Sequence, residues 1–170
     1  MWVNKRILFG MAAAFLTRPA IGASISKDDD YSEANTSVSA LKTQLYNEVN
    51  TARRRRGRSK LKRSKTLEKA ALKFAKELDR KKYGVGRGRV AFKAHGKNKE
   101  SEVKRRARAA GYKVRIIGEN VGYYQHPSRV VPGWSNSPEH SFIMFYPKMT
   151  EMGLGISGKV YVLMMGKPKR

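Results

Sequence analysis

The spacing of apolar residues changes along this chain, and this change constrains the fold more than any other feature. Before residue 111, apolar residues recur at steps of three or four, as Leu41, Leu45 and Val49 do, which is typical of one face of a helix. From Val114 onward, short apolar runs separated by glycine are typical of strands. Helices that precede a small sheet predict an α+β domain.

Three helices are predicted in the first part of the chain. The first begins at Ser37 as its N-cap and ends at Gly57, after four consecutive arginines. The second begins after Ser64, and the third covers residues 100–110 and ends at Gly111. The predicted apolar face of the second helix consists of Leu67, Ala71, Phe74 and Leu78.

Strands are predicted only in the second part. Residues 114–117 have strand character, Gly118-Glu119-Asn120 interrupts the pattern, and residues 121–124 continue it. Gly158 is the predicted turn of an antiparallel hairpin, whose strands cover residues 151–157 and 159–165. The chain contains no cysteine, so packing and hydrogen bonds alone must stabilise this fold.

The N-terminal 23 residues have the pattern of a signal peptide. Lys5 and Arg6 precede an apolar run, and small residues surround Gly22 and Ala23. The run of about ten apolar residues is too short for a bilayer core, which requires about twenty. We therefore expect a secreted protein, extracellular or periplasmic and without a transmembrane anchor; an uncleaved N-terminal anchor is the alternative. Residues 24–36 are predicted to be a flexible linker, 37–166 the domain and 167–170 a basic tail.

The formal net charge is +24, and 27 of the 37 basic residues lie between residues 42 and 115. Such a field attracts polyanions and is weakened by salt. Anionic lipid or a cell-envelope polymer is the expected partner of an exported protein, whereas no motif for reading nucleic acid is present. The segment with the most closely spaced basic residues is either a solvated helix end or an anion-binding surface. Its basic residues are Arg53, Arg54, Arg55, Arg56, Arg58, Lys60, Lys62 and Arg63.

Four motifs follow one another from residue 94 to residue 155. They are Ala94-His95-Gly96, residues 106–112 with Gly118-Glu119-Asn120, Trp134-Ser-Asn-Ser-Pro-Glu-His140, and Thr150-Glu-Met-Gly-Leu-Gly155. With these motifs in this order, residues 38–165 resemble the CAP superfamily of cysteine-rich secretory proteins, venom antigens and plant pathogenesis-related proteins. The resemblance is to a bacterial, cysteine-free type. It implies a three-layer α-β-α sandwich with a small antiparallel sheet and a shallow cleft, and we expect a monomer.

The resemblance also implies the residues of the cleft. Family members line the cleft with two histidines and two acids, and His95, Glu119 and His140 match both histidines and one acid. The position of the second acid in the family is occupied by Ser137 in this chain, and Glu139 is the nearby carboxylate. Pro132 lies inside the expected helix of residues 128–136, which we therefore predict to be short or kinked.

Two imidazoles and a carboxylate suit zinc or a similar divalent cation, so His95, Glu119 and His140 are candidate metal ligands, although no cofactor is required. The alternative is that the three side chains only hydrogen-bond to one another and to the backbone. Glu119 and His140 are also the candidate catalytic residues, with Glu119 as a general base. Asn120 is predicted to form a hydrogen bond with the backbone.

The sequence favours a secreted, non-catalytic binding or envelope-associated module with a basic face and a His/Glu cleft. The alternative is a metal-assisted hydrolase, resembling a peptidase, that uses the same cleft. An apolar group near the fourth motif is predicted to be core, and the alternative is a lipid groove. The group comprises Trp134, Phe142, Ile143, Met144, Phe145 and Tyr146.

Overall fold

In the computed structural model, the backbone is described for residues 27–81 and 99–169, and side chains for residues 37–81 and 102–169. His95 and the glycine-rich residues 84–88 lie outside the described residues. The elements, in chain order, are α1 (Lys27–Arg55), β1 (Lys62–Arg63), α2 (Lys65–Arg80), α3 (Lys99–Ala109), β2 (Val114–Tyr123), a 3₁₀ turn (Pro127–Arg129), α4 (Val130–Asn136), α5 (Pro138–Met144), β3 (Glu151–Ser157) and β4 (Val160–Pro168).

The four strands form one sheet in the order β1-β3-β4-β2. β4 is antiparallel to both β2 and β3, and the short β1 is parallel to β3. α2 and α3 cover one face of the sheet with one buried apolar cluster, whereas α1, α4 and α5 cover the other face with a second cluster. The predicted α+β, three-layer α-β-α sandwich is confirmed.

α1 begins ten residues earlier than predicted. It starts at Lys27, so Ser37 is not its N-cap, and residues 27–36 of the predicted linker are helical. The other end is as predicted, since Gly57 adopts a left-handed φ of 66° and Gly57 N and Arg58 N bond to carbonyls of the last turn.

α2 and α3 confirm the predictions from capping and periodicity. Ser64 is the N-cap of α2, and its Oγ accepts a hydrogen bond from Leu67 N. The four residues of the predicted apolar face of α2 are all buried. α3 ends before Gly111, whose φ of 95° requires a left-handed backbone.

β2 is one continuous strand, so the prediction that Gly118-Glu119-Asn120 interrupts it was wrong. Glu119 and Asn120 stay in register with Met164 and Leu163 of β4, because a neighbouring strand supplies partners that the local sequence does not show. β4 also extends beyond its predicted end to Pro168. The first two residues of the predicted basic tail therefore belong to the sheet.

The glycines of the fourth motif allow α2 to touch the sheet directly. A Cβ atom on Gly153 would lie 2.1 Å from Glu68 N, and one on Gly155 would lie 2.2 Å from the carbonyl carbon of Ala71. The intervening Leu154 points to the opposite face and is fully buried. The Gly-Leu-Gly sequence is therefore a packing feature that brings the helix backbone against β3.

Candidate functional site

A cleft of about 520 Å³ lies along β2, between α3 and α5. Gly118 in β2 allows α5 to approach closely, because a Cβ there would be 2.6 Å from Ile143 Cγ2. The polar side chains that line the cleft are Glu119, Glu139 and His140. The larger apolar contributions come from Val103, Ile116, Ile117, Phe142, Ile143, Tyr146 and Met149.

Glu119 lies in the cleft wall, but its carboxylate is paired with an arginine. Its side chain is 0% exposed, and Arg106 Nη2 donates to Glu119 Oε1 at 2.7 Å. The guanidinium of Arg106 also stacks on Phe74, with Cζ 3.8 Å from the ring centroid. This contact was not predicted from the sequence, where Arg106 stands only as part of a motif. Arg106 follows Val103 by three residues, so the two lie on one face of α3, and this spacing was the available signal.

His140 is held at the start of α5 by two contacts. Its Nδ1 lies 2.9 Å from the Oγ of Ser137, the N-cap residue of the helix. Its backbone carbonyl accepts a hydrogen bond from Asn120 Nδ2 at 3.0 Å. Asn120 is fully buried and so fixes α5 to β2, which confirms its predicted backbone-bonding role.

Ser137 and Glu139 occupy different positions relative to the cleft. Ser137 has extended backbone angles that separate α4 from α5, and its hydroxyl faces His140. Glu139 is exposed and lines the cleft rim. α4 has only seven residues, with Pro132 in its first turn, so the prediction of a short helix is confirmed.

The metal-ligand prediction names His95, Glu119 and His140, and only the last two have described side chains. Glu119 is already neutralised by a guanidinium, which remains protonated in proteins. Among residues 37–81 and 102–169, no three His, Cys, Asp or Glu side chains form a group that could hold a metal ion. His95 lies outside these residues. Within the described residues, the contact of the Glu119 carboxylate that bears on this prediction is the hydrogen bond from Arg106 to Oε1.

The apolar group near the fourth motif divides between core and cleft. Trp134 and Met144 are fully buried, and Phe145 is nearly so. The prediction that Phe142 belongs to the core was wrong, because its side chain is 70% exposed and lines the cleft with Tyr146. Phe142 lies on α5, a helix of only seven residues, and no described segment covers most of its ring.

Arg53 does not belong to the predicted anion-binding surface, which corrects the sequence prediction. It is 0% exposed, and its Nη1 donates to Met144 O at 2.6 Å and to Tyr146 O at 3.3 Å. Burial, with a smaller contribution from Arg58, lowers the pKa of Arg53. Arg53 continues the buried stripe of Leu45 and Val49 at four-residue steps, a signal that the sequence analysis did not use.

The remaining seven basic residues of the segment are exposed, and we call them the basic surface. None of them forms an ion pair with a carboxylate of the described residues. Arg56 stacks on Phe145 with Cζ 4.0 Å from the ring centroid, and Arg63 stacks on Tyr46 at 4.2 Å. The basic surface comprises Arg54, Arg55, Arg56, Arg58, Lys60, Lys62 and Arg63.

Comparison with known proteins gives one family and several similar folds. The model of the cysteine-rich secretory protein family, CAP, matches residues 46–160. An extracellular protein with an SCP domain from Bacillus anthracis is 18% identical, with a TM-score of 0.61 over 86% of this chain and 45% of that protein. A cysteine-rich secretory protein from Staphylococcus aureus is 20% identical, with a TM-score of 0.60 over 75% of this chain and 38% of that protein.

An outer surface protein from Borrelia burgdorferi is also similar, with 20% identity and a TM-score of 0.55 over 76% of this chain and 94% of that protein. The chain spans less than half the length of the first two proteins. No curated protein matches it. Within the described residues, no helix combines the length and apolar character needed to cross a membrane.

Proposed function

The chain belongs to the cysteine-rich secretory protein (CAP) family, and from this membership and its charge we propose that it is a secreted, non-catalytic module that binds anionic material of the cell envelope. The ligand group is a phosphate or carboxylate carried by a lipid or by an envelope polymer. The similar proteins from Bacillus anthracis and Borrelia burgdorferi are an extracellular and an outer surface protein. Their locations support an extracellular site of action here.

The observation that carries the proposal is the basic surface. Its seven cations lie within ten residues, between the end of α1 and β1, and all are exposed. Because no described carboxylate neutralises them, they act together on an approaching polyanion. Each basic residue near an anionic membrane contributes about 1 kcal/mol of binding free energy, so the segment as a whole is sufficient for stable association.

The basic surface also lies next to the cleft wall. Arg56 contacts Phe145 through its guanidinium, and its Nη2 donates to Ser135 O at 3.4 Å. The neighbouring Arg53 bonds to the carbonyl of Met144, the last residue of α5. Anion binding at the basic surface therefore places the envelope beside the helix that forms one side of the cleft.

The hydrolase alternative gains no support from the arrangement of the cleft. A general base needs a carboxylate that can accept a proton from substrate, and in Glu119 one of the two carboxylate oxygens, Oε1, already accepts a hydrogen bond from Arg106. The contact of His140 with Ser137 joins an N-cap residue to a residue three positions later. Both residues belong to the start of one helix, so this contact follows from helix geometry and is not evidence for a catalytic triad.

The test compares two variants that lose the same charge at different places. R54Q/R55Q/R58Q/K60Q removes four cations from the basic surface and leaves the stacked Arg56 and Arg63 intact. The matched control, K65Q/K69Q/K73Q/K76Q, removes four exposed cations from α2 on the opposite face of the sheet. Co-sedimentation is measured with phosphatidylglycerol vesicles, phosphatidylcholine vesicles and an anionic cell-wall polymer.

The first variant is expected to weaken binding by about 10³-fold, from about 1 kcal/mol for each of four charges. The control variant is expected to bind nearly as the wild type does, and raising the salt from about 0.1 M to about 1 M should release the wild type. Equal weakening by both variants would show that net charge alone determines binding, and it would reject the basic surface as the binding site. The lipid and polymer arms identify which source carries the anion.

A further inference from the structure

Arg106 and Glu119 form an ion pair that is shielded from water. The pair joins α3 to β2 with an N···O distance of 2.7 Å, and the two side chains are 13% and 0% exposed. Removing one partner of such a pair leaves the other as an uncompensated buried charge, which is strongly unfavourable. The pair places a positive charge directly beside the Glu119 carboxylate, at Oε1.

Two further contacts hold the guanidinium of Arg106 in place. The ring of Phe74 in α2 stacks on one side of it at 3.8 Å, a geometry that favours a cation. Glu102, one turn earlier on α3, places Oε2 3.9 Å from Nη1. Together these contacts hold the planar guanidinium of Arg106 in a fixed position beside Glu119.

A divalent cation would require the same carboxylate charge that Arg106 already neutralises. To reach Glu119, the cation must either displace the guanidinium from a buried position or approach it against charge repulsion. We propose that Arg106 is a specificity-determining residue that keeps divalent metal ions off Glu119 in this chain. Metal binding through Glu119 then occurs only when the guanidinium is removed.

The test is isothermal titration of the full chain with Zn²⁺ alone. In the presence of Arg106, E119Q is expected to leave the zinc affinity unchanged within error. R106Q is expected to bind Zn²⁺ tighter by on the order of a hundredfold, because the competing cation is gone. The double variant R106Q/E119Q is expected to lose this gain.

Two controls separate charge from shape. R106K keeps a cation beside Glu119 and is expected to bind zinc as the wild type does. E102Q removes a carboxylate near Arg106 without touching Glu119, and it is expected to change nothing. Weaker zinc binding by a folded E119Q, or a folded R106Q without tighter zinc binding, would overturn the proposal.

A measurement on the wild type covers the case in which R106Q does not fold. In ¹H–¹⁵N spectra, the Nε–H signal of Arg106 and the amide signal of Glu119 are expected to stay in place as Zn²⁺ is added. Movement of both signals at stoichiometric zinc would show that the ion reaches the pair, and the proposal would then be wrong. The outcome is independent of the basic surface, since neither residue belongs to it.

Discussion

Gly155→Ala places a methyl group between β3 and α2. The added Cβ would lie 2.2 Å from Ala71 C and 2.3 Å from both Ala71 O and Leu72 N. These are backbone atoms in the middle of a helix, so no side-chain rotation relieves the contact. Ordinary contacts begin at 3.4 Å, and the helix or the strand must therefore move by about 1.2 Å.

The cost of this shift follows from what α2 buries. The helix contributes Leu67, Ala71 and Phe74 to the core on its side of the sheet, so a displacement loosens several close contacts together. Overpacking of a core costs about 1–3 kcal/mol, occasionally more, and a backbone contact belongs at the upper end. For a domain of about 130 residues, about 3 kcal/mol corresponds to a decrease of about 10 °C in Tm.

Thermal unfolding followed by circular dichroism measures this decrease. Gly57→Ala is the matched control, because Gly57 has a φ of 66° and a Cβ added there would meet nothing within 4 Å. Gly57→Ala loses stability only because alanine is strained in a left-handed backbone, by about 1–2 kcal/mol. This loss is reduced because alanine lowers the entropy of the unfolded chain. A Tm for Gly155→Ala no lower than that of Gly57→Ala would refute the close approach of α2 to β3.

Two further predictions concern buried polar groups. R53M leaves the carbonyls of Ser59 and Met144 without their donor, so we expect a loss of about 3 kcal/mol in urea unfolding, whereas exposed R54Q should change stability by less than about 0.5 kcal/mol. Burial raises the pKa of Tyr46 to about 12. The stability that this shift contributes to the fold is fully present below the unfolded pKa of about 10 and is lost as pH rises from there towards 12. Y46F should reduce the decrease in stability over this range by up to about 1.4 kcal/mol per pH unit, and an unchanged slope in urea unfolding at pH 10 to 12 would contradict this.

Local sequence was sufficient where the controlling contacts are local. Ser64 caps α2, a regular apolar stripe orients that helix, and Gly158 turns the β3–β4 hairpin, all as predicted. Each of these features depends on residues within a few positions of one another. Capping, periodicity and turn conformation therefore identified these elements without knowledge of the rest of the chain.

Predictions failed where a distant segment decides the outcome. The Gly118-Glu119-Asn120 motif contains residues that disfavour strands, but β4 pairs with it along its whole length. The cleft prediction found Glu119, Glu139 and His140 on one cavity but missed the arginine that neutralises Glu119.

The sequence by itself determined the family, through four ordered motifs, and the excess of positive charge. Only the tertiary structure decided what individual charges do, because the effect of a charge depends on its burial and its partner. Arg53 and Arg54 are neighbours in the chain, yet one bonds to the carbonyl of Met144, 91 positions away, and the other is exposed to solvent. In the same way, Glu119 matches a family motif by sequence, while only the packing of α3 against β2 brings Arg106 into contact with its carboxylate.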